Sequence, residues 1–336
     1  MSARRGLLVA LVVVLAGIPQ PARAQPTLAG CPVFPADNIW NTRIDALPVH
    51  PRSDDYIASI GPDANVHPDF GKGEWDGGPI GIPFVVVPAD QPLVAIEFTA
   101  YGDESDPGPY PVPPDAPIEG GSNADGDRHV LVLHQGVCRL YELYRAFPAE
   151  GGGWEADSAA VYDLRSHALR PAGWTSADAA GLPILPGLVR YDEVASGAIT
   201  HALRVTAPET QAAYLWPARH FASSITDPAY PPMGARFRLR DDVDLSLFSP
   251  AARVIIVAMQ RYGLILADNG LSWYITGAPD ENWDNDILHE LDRLHGSDFV
   301  AVDTSSLQID PDSGQARQAT STPRRTLYII LIATGQ

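Results

Sequence analysis

Short runs of β-branched and aromatic residues, each closed by Pro, Gly or Asp, set the strongest limit on this chain. They lie at residues 85–87, 93–98, 130–134, 140–144, 188–191, 201–205, 213–216 and 236–239. Such residues favour a pleated surface, and the turn formers end each run after a few positions. The strand–helix alternation of a parallel α/β sheet is missing over residues 80–240. The sequence therefore predicts a mainly β domain. A β-sandwich or jelly roll, concanavalin-like arrangements included, with a few peripheral helices fits best. Val130-Leu131-Val132-Leu133 is apolar on both faces, which suits an inner strand covered on both sides.

Helix signals are few. Ser249-Pro250 reads as an N-cap with Pro at the first helical position, opening a helix over 251–262 that Gly263 closes. Ile287, Leu288, Leu291 and Leu294 stand at helical spacing and predict a helix over 284–295. A short helix is predicted over 176–180, capped by Thr175 or Ser176. Residues 102–126 are mostly Asp, Pro and Gly and read as a long surface loop. Leu266-Ala267-Asp268-Asn269-Gly270 reads as a turn, because Asn-Gly is a strong hairpin signal.

The first residues read as an address. Arg4 and Arg5, the apolar residues 7–18 and Ala22-Arg23-Ala24 form a secretory signal peptide over 1–24. Its apolar run is too short to span a bilayer. One domain is expected over 25–303, then a polar linker and a short apolar tail over 304–336. An extracellular or periplasmic location follows. There, the two cysteines, Cys31 and Cys138, are expected to form a disulfide. Leu28-Ala29-Gly30-Cys31 also has the form of a lipoprotein box, so a lipid on Cys31 is the alternative.

Charge removes several function classes. The 336 residues carry a formal net charge of -18, a poor match to nucleic-acid phosphates or anionic lipid. Lys72 is the single lysine, so it is the one candidate for Schiff-base chemistry. The chain has no G-x-S-x-G elbow, P-loop, G-x-G-x-x-G, H-E-x-x-H or C-x-x-C.

Carboxylates and histidines carry the remaining chemistry. In Arg139-Leu140-Tyr141-Glu142-Leu143-Tyr144, Glu142 shares a strand face with Leu140 and Tyr144. A carboxyl on an apolar face has its pKa raised, which a glycosidase acid needs. Asp192 and Glu193 offer the second carboxylate. A lyase is the alternative enzyme. It would use His201 and His220 as acid and base, with Arg128, His129, Tyr144, Arg204, Trp216 and Arg219 holding substrate. No histidine pair has short ligand spacing, so no metal is expected. Structural Ca²⁺ through 103–106 or 123–127 is an option, without another cofactor. Trp75 and other loop tryptophans could serve as sugar platforms.

Residues 31–41 and 181–193 resemble those of a family of secreted microbial proteins with no established activity, and the likeness runs from Cys31 to about Asp303. It implies secretion and no residue roles. Tyr141-Glu142-Leu143-Tyr144 is similar to the catalytic strand of jelly-roll glucanases. The function expected is a secreted carbohydrate-active protein, a glycoside hydrolase acting on a polysaccharide. A polysaccharide lyase or a non-catalytic glycan-binding or envelope protein is the alternative.

Overall fold

Side-chain alternation in a few strands sets the layers of the molecule. The computed structural model describes residues 25–318. The strands used below are β1 (His67–Asp69), β2 (Glu74–Trp75), β3 (Gly78–Pro79), β4 (Phe84–Val87), β5 (Val130–His134), β6 (Arg139–Tyr144), β7 (Ser158–Asp163), β8 (Leu203–Ala207), β9 (Arg236–Leu239), β10 (Leu264–Asn269), β11 (Tyr274–Thr276) and β12 (Phe299–Val302). The helices are α1 (Ser53–Ile60), α2 (Tyr191–Ser196), α3 (Pro250–Arg261) and α4 (Asn285–Leu288).

Two sheets dominate. One has the order β7-β6-β5-β4 and the other β12-β9-β10-β8-β11-β1. In β5, Leu131 and Leu133 enter the main core with Leu203, Phe237 and Leu264 of the larger sheet. Val130 and Val132 point the other way, into a second core with Val87, Tyr110 and Trp154. Period-2 alternation thus buries both faces of β5, as its sequence predicts. The fold is mainly β, as expected, with more strand than helix (28% against 18%). The pairs β4/β5, β8/β10 and β1/β11 run parallel, which departs from an all-antiparallel jelly roll.

Local signals explain most helix ends. Ser249 caps α3 by accepting from the Ala252 N–H, with Pro250 following. Residues 284–295 do not form one helix. α4 spans four residues, capped by the Asp284 side chain, and a 3-10 turn over His289–Arg293 follows. Residues 176–180 are not helical. There the Ser176 hydroxyl accepts from the Asp178 N–H, a local bond that competes with helix. Residues 191–196, read as strand end and turn, form α2.

Three segments differ from expectation because distant partners hold them. Residues 264–269 are a strand, since Leu264–Leu266 pair with β8. The loop of residues 102–126 is not all surface: Tyr110 and Val112 are buried in the second core. The polar stretch after Thr304, expected as a linker, packs back on the domain. Leu307 is buried, the Ile39 N–H donates to Gly314 O at 2.8 Å, and the Ala316 N–H donates to Asp37 O at 2.8 Å. The expected signal peptide and apolar tail lie outside the described residues.

Cys31 and Cys138 form a disulfide across 107 residues, pinning the N-terminal arm beside the turn between β5 and β6. Cys31 Sγ is therefore not available to a lipid. Among the described residues, no helix is long and apolar enough to cross a membrane.

Candidate functional site

The largest cavity, about 860 Å³, opens where β1, the β2–β3 hairpin, residues 119–125, Tyr274 and α4 meet. Concave sites of this size are where ligands bind. Asp69, at the end of β1, is held in place by pairing with Thr276 of β11. Trp75 stands on the hairpin, whose tip Asp76-Gly77 has positive φ at both residues. Asp-Gly favours that two-residue turn. Trp75 is 79% exposed and lines the cavity. His67 and Tyr274 stack with ring centroids 4.2 Å apart, and His289 lies 6.3 Å from His67. Asp69, Asp76, Glu119 and Asp125 line the cleft, and no arginine or lysine does.

Two of these carboxyls are pushed apart in acidity. Asp69 has surface open to the cleft, yet the surrounding walls strip it of water and raise its pKa, and the Glu119 charge adds to the rise. Burial also pushes Glu119 up, but His129 outweighs it and holds Glu119 below the ordinary range. His129 Nδ1 lies 2.6 Å from Glu119 Oε2, and Nε2 lies 2.8 Å from Ala177 O. A carboxylate and a carbonyl only accept, so both ring nitrogens donate and the ring is an imidazolium. Burial opposes that charge, but Glu119 prevails and raises the His129 pKa to about 9.

A second cavity of about 340 Å³ lies on the other side of this ion pair. Tyr101, Asp127, Tyr144, Asp178, His220 and Asp268 are among its walls. Asp268 reaches it through a β-bulge: Val205 pairs with Leu266, but Thr206 pairs with Asp268, leaving Ala267 as the extra residue. Bulges redirect side chains in this way. Asp268 is partly exposed, and its desolvation, reinforced by Asp178, raises its pKa to about 7. Asp178 is buried beneath, with Oδ2 accepting from Arg204 Nε at 2.9 Å. Burial raises the Asp178 carboxyl while Arg204 pulls it down. Burial likewise works against the Arg204 charge, but Asp178 outweighs it and raises Arg204 above its ordinary range.

The residues expected to be catalytic are mostly engaged elsewhere. Glu142 is 0% exposed and faces the main core, not a cleft. It accepts from the Ile184 and Leu185 N–H groups at 2.8–3.0 Å. Burial still raises its pKa to about 7. Glu193 is bound by Arg190 and His201, each at 2.9 Å, and shares no partner with Glu142. His201 is fully buried, its other nitrogen on Ala202 O. Asp192 lies exposed in the first turn of α2. The pairing of Glu142 with Glu193 or Asp192 across a concave sheet therefore does not form.

The residues expected to hold substrate divide similarly. Arg128 donates to the Ala146, Ser122 and Ala124 carbonyls. Arg219 donates to the Arg170 and Pro311 carbonyls and pairs with Asp312. Trp216 Nε1 donates to Ser313 O. These three tie loops together. Arg204 is locked on Asp178 and Thr276. Tyr144 and His220 do meet, in the second cavity. Of the residues that matter most here, Trp75 was signalled by its loop setting. Asp69 and Glu119 carried no local motif.

The calcium option finds its oxygens taken. Asp106 pairs with Arg170, and Glu104 accepts from the Thr175 N–H. Around residues 122–124, the Arg128 guanidinium holds the carbonyls an ion would need. Among the described residues, Glu119, Asp127 and His129 place one ligand atom each within 4.8 Å of one another. Both His129 nitrogens already donate, so a metal there would have to displace a proton and the Glu119 ion pair.

A comparison of the chain with protein-family models, curated proteins and solved structures gave no match, so residue roles rest on this geometry alone.

Proposed function

We propose that this is an exported glycoside hydrolase whose catalytic carboxyls are Asp69 and Glu119. The observation that carries the reading is their opposite displacement in one cleft. Asp69 is raised toward a proton-holding acid, and Glu119 is kept ionised by His129. Divergent pKa values in a carboxyl pair are how such sites assign acid and base. Asp69 protonates the glycosidic oxygen as the bond to the anomeric carbon breaks. Glu119 meets the developing positive charge, either bonding to that carbon or taking a proton from the attacking water.

Trp75 and the His67–Tyr274 stack supply flat apolar faces for sugar rings. A cleft with four carboxylates and no arginine or lysine suits neutral or amine-bearing glycans. That wall argues against a lyase, whose uronate substrate needs cationic partners. Export is supported by the disulfide.

The test is a panel of neutral, amine-bearing and acidic polysaccharides, with products read by mass spectrometry. Cuts that each add one water, lost in Asp69→Asn and in Glu119→Gln, are expected. Unsaturated products would move the reading to elimination. Binding without any product would leave a glycan-binding protein instead.

A further inference from the structure

The second cavity has features of a binding site independent of the cleft. Three carboxylates, Asp127, Asp178 and Asp268, are among its walls, and His220 is the one ionisable cationic side chain among them. Asp178 is 1% exposed, and its Oδ1 is buried with no hydrogen-bond partner. Such an oxygen is costly inside a protein unless something donates to it. Arg204 cannot do so from its present place, because its Nε is spent on Oδ2 and its Nη1 on Thr276. The missing partner is therefore a donor entering from the cavity.

A bare metal ion is a poor fit. Among the described residues, Asp127, Asp178 and Asp268 are not a group whose ligand atoms converge within 4.8 Å. An ammonium group suits wider spacing, because its three N–H bonds fan out to separate acceptors. The Tyr101 and Tyr144 rings beside the carboxylates offer faces to a cation or to a sugar ring. The volume of about 340 Å³ suits one ring rather than a chain. We propose that this cavity binds a small hydroxylated primary-ammonium compound, the size of one amino-sugar ring, through Asp127, Asp178 and Asp268. No bond is made or broken there, and the site stands whether or not the larger cleft cleaves glycans.

Isothermal titration with D-glucosamine tests it, at about pH 7, where amine and carboxylates both carry charge. Glucose and N-acetylglucosamine, which lack the ammonium, serve as comparisons. Saturable binding of glucosamine is expected, at least about tenfold tighter than either comparison. Asp268→Asn and Asp127→Asn should each weaken it about tenfold. Asp127 is exposed, so its variant keeps the test valid if Asp268→Asn fails to fold. Trp75→Ala, in the other cavity, should retain the affinity. Equal binding of glucose and glucosamine, no glucosamine binding, or loss of binding in Trp75→Ala would each overturn the proposal. So would unchanged affinity in Asp127→Asn.

Discussion

Arg204 donates from Nε to Asp178 Oδ2 at 2.9 Å, and both side chains are shut away from water. The pair stands beneath the second cavity and joins β8 to the turn after Thr175. Removing one partner leaves a lone buried charge, which costs about 3–5 kcal/mol. Arg204→Met should lower unfolding stability by that amount in denaturant titrations. The double change Arg204→Met with Asp178→Leu should recover much of it. A single variant as stable as the parent would mean the pair is not buried as described.

Stability should fall as the solution is made more alkaline from weak acid. The Glu142 carboxyl titrates near 4.5 unfolded and about 7 folded, raised by burial. The native state therefore holds the extra proton between those values. Its contribution is complete below about pH 4.5, declines across the window and is gone above about pH 7. The size is up to about 3 kcal/mol. Glu142→Gln should flatten that part of the stability profile. A parent profile flat from about pH 4.5 to 7 would contradict the assignment.

The His129 ring should titrate far above an ordinary histidine. Its Glu119 partner holds the proton, so a midpoint of about 9 is expected by side-chain nitrogen NMR. In Glu119→Gln, burial acts unopposed by that charge, and the midpoint should drop below the ordinary histidine value of about 6.5. No change in that variant would break the link between cleft and imidazolium.

Trp75 tests the cleft without disturbing the fold. Its ring is exposed and enters neither core. Trp75→Ala should leave the thermal midpoint within measurement error and weaken binding of any cleaved glycan about tenfold, read as a higher KM. Unaltered KM would remove Trp75 from the sugar platform.

The disulfide carries a separate stability term. Cys31 and Cys138 close 107 residues of chain. The loop-entropy model assigns such a link about 4–5 kcal/mol. Cys31→Ser with Cys138→Ser should lose stability of that order in denaturant titrations, with the strand signature in circular dichroism kept at low denaturant.

The sequence by itself determined what short-range physics writes into neighbouring residues. Runs such as Val130–His134 fixed strands buried on both faces, Ser249-Pro250 fixed the start of α3, and two cysteines in an exported chain fixed one disulfide. Tertiary structure alone decided the chemistry. Glu142 looked like a poised acid because its strand gives it an apolar face. Which side of the sheet meets solvent depends on residues 184 and 185, some 40 positions away, whose N–H groups cover its carboxylate. Asp69 and Glu119 are separated by 50 residues and meet through sheet pairing and loop packing, contacts with no periodic trace in sequence. Asp268 reaches its cavity because one residue bulges out of β10, a shift of register set by the neighbouring strand. Strand and cap signals are local energies, whereas a site is a meeting of distant residues, and only the packed chain specifies it.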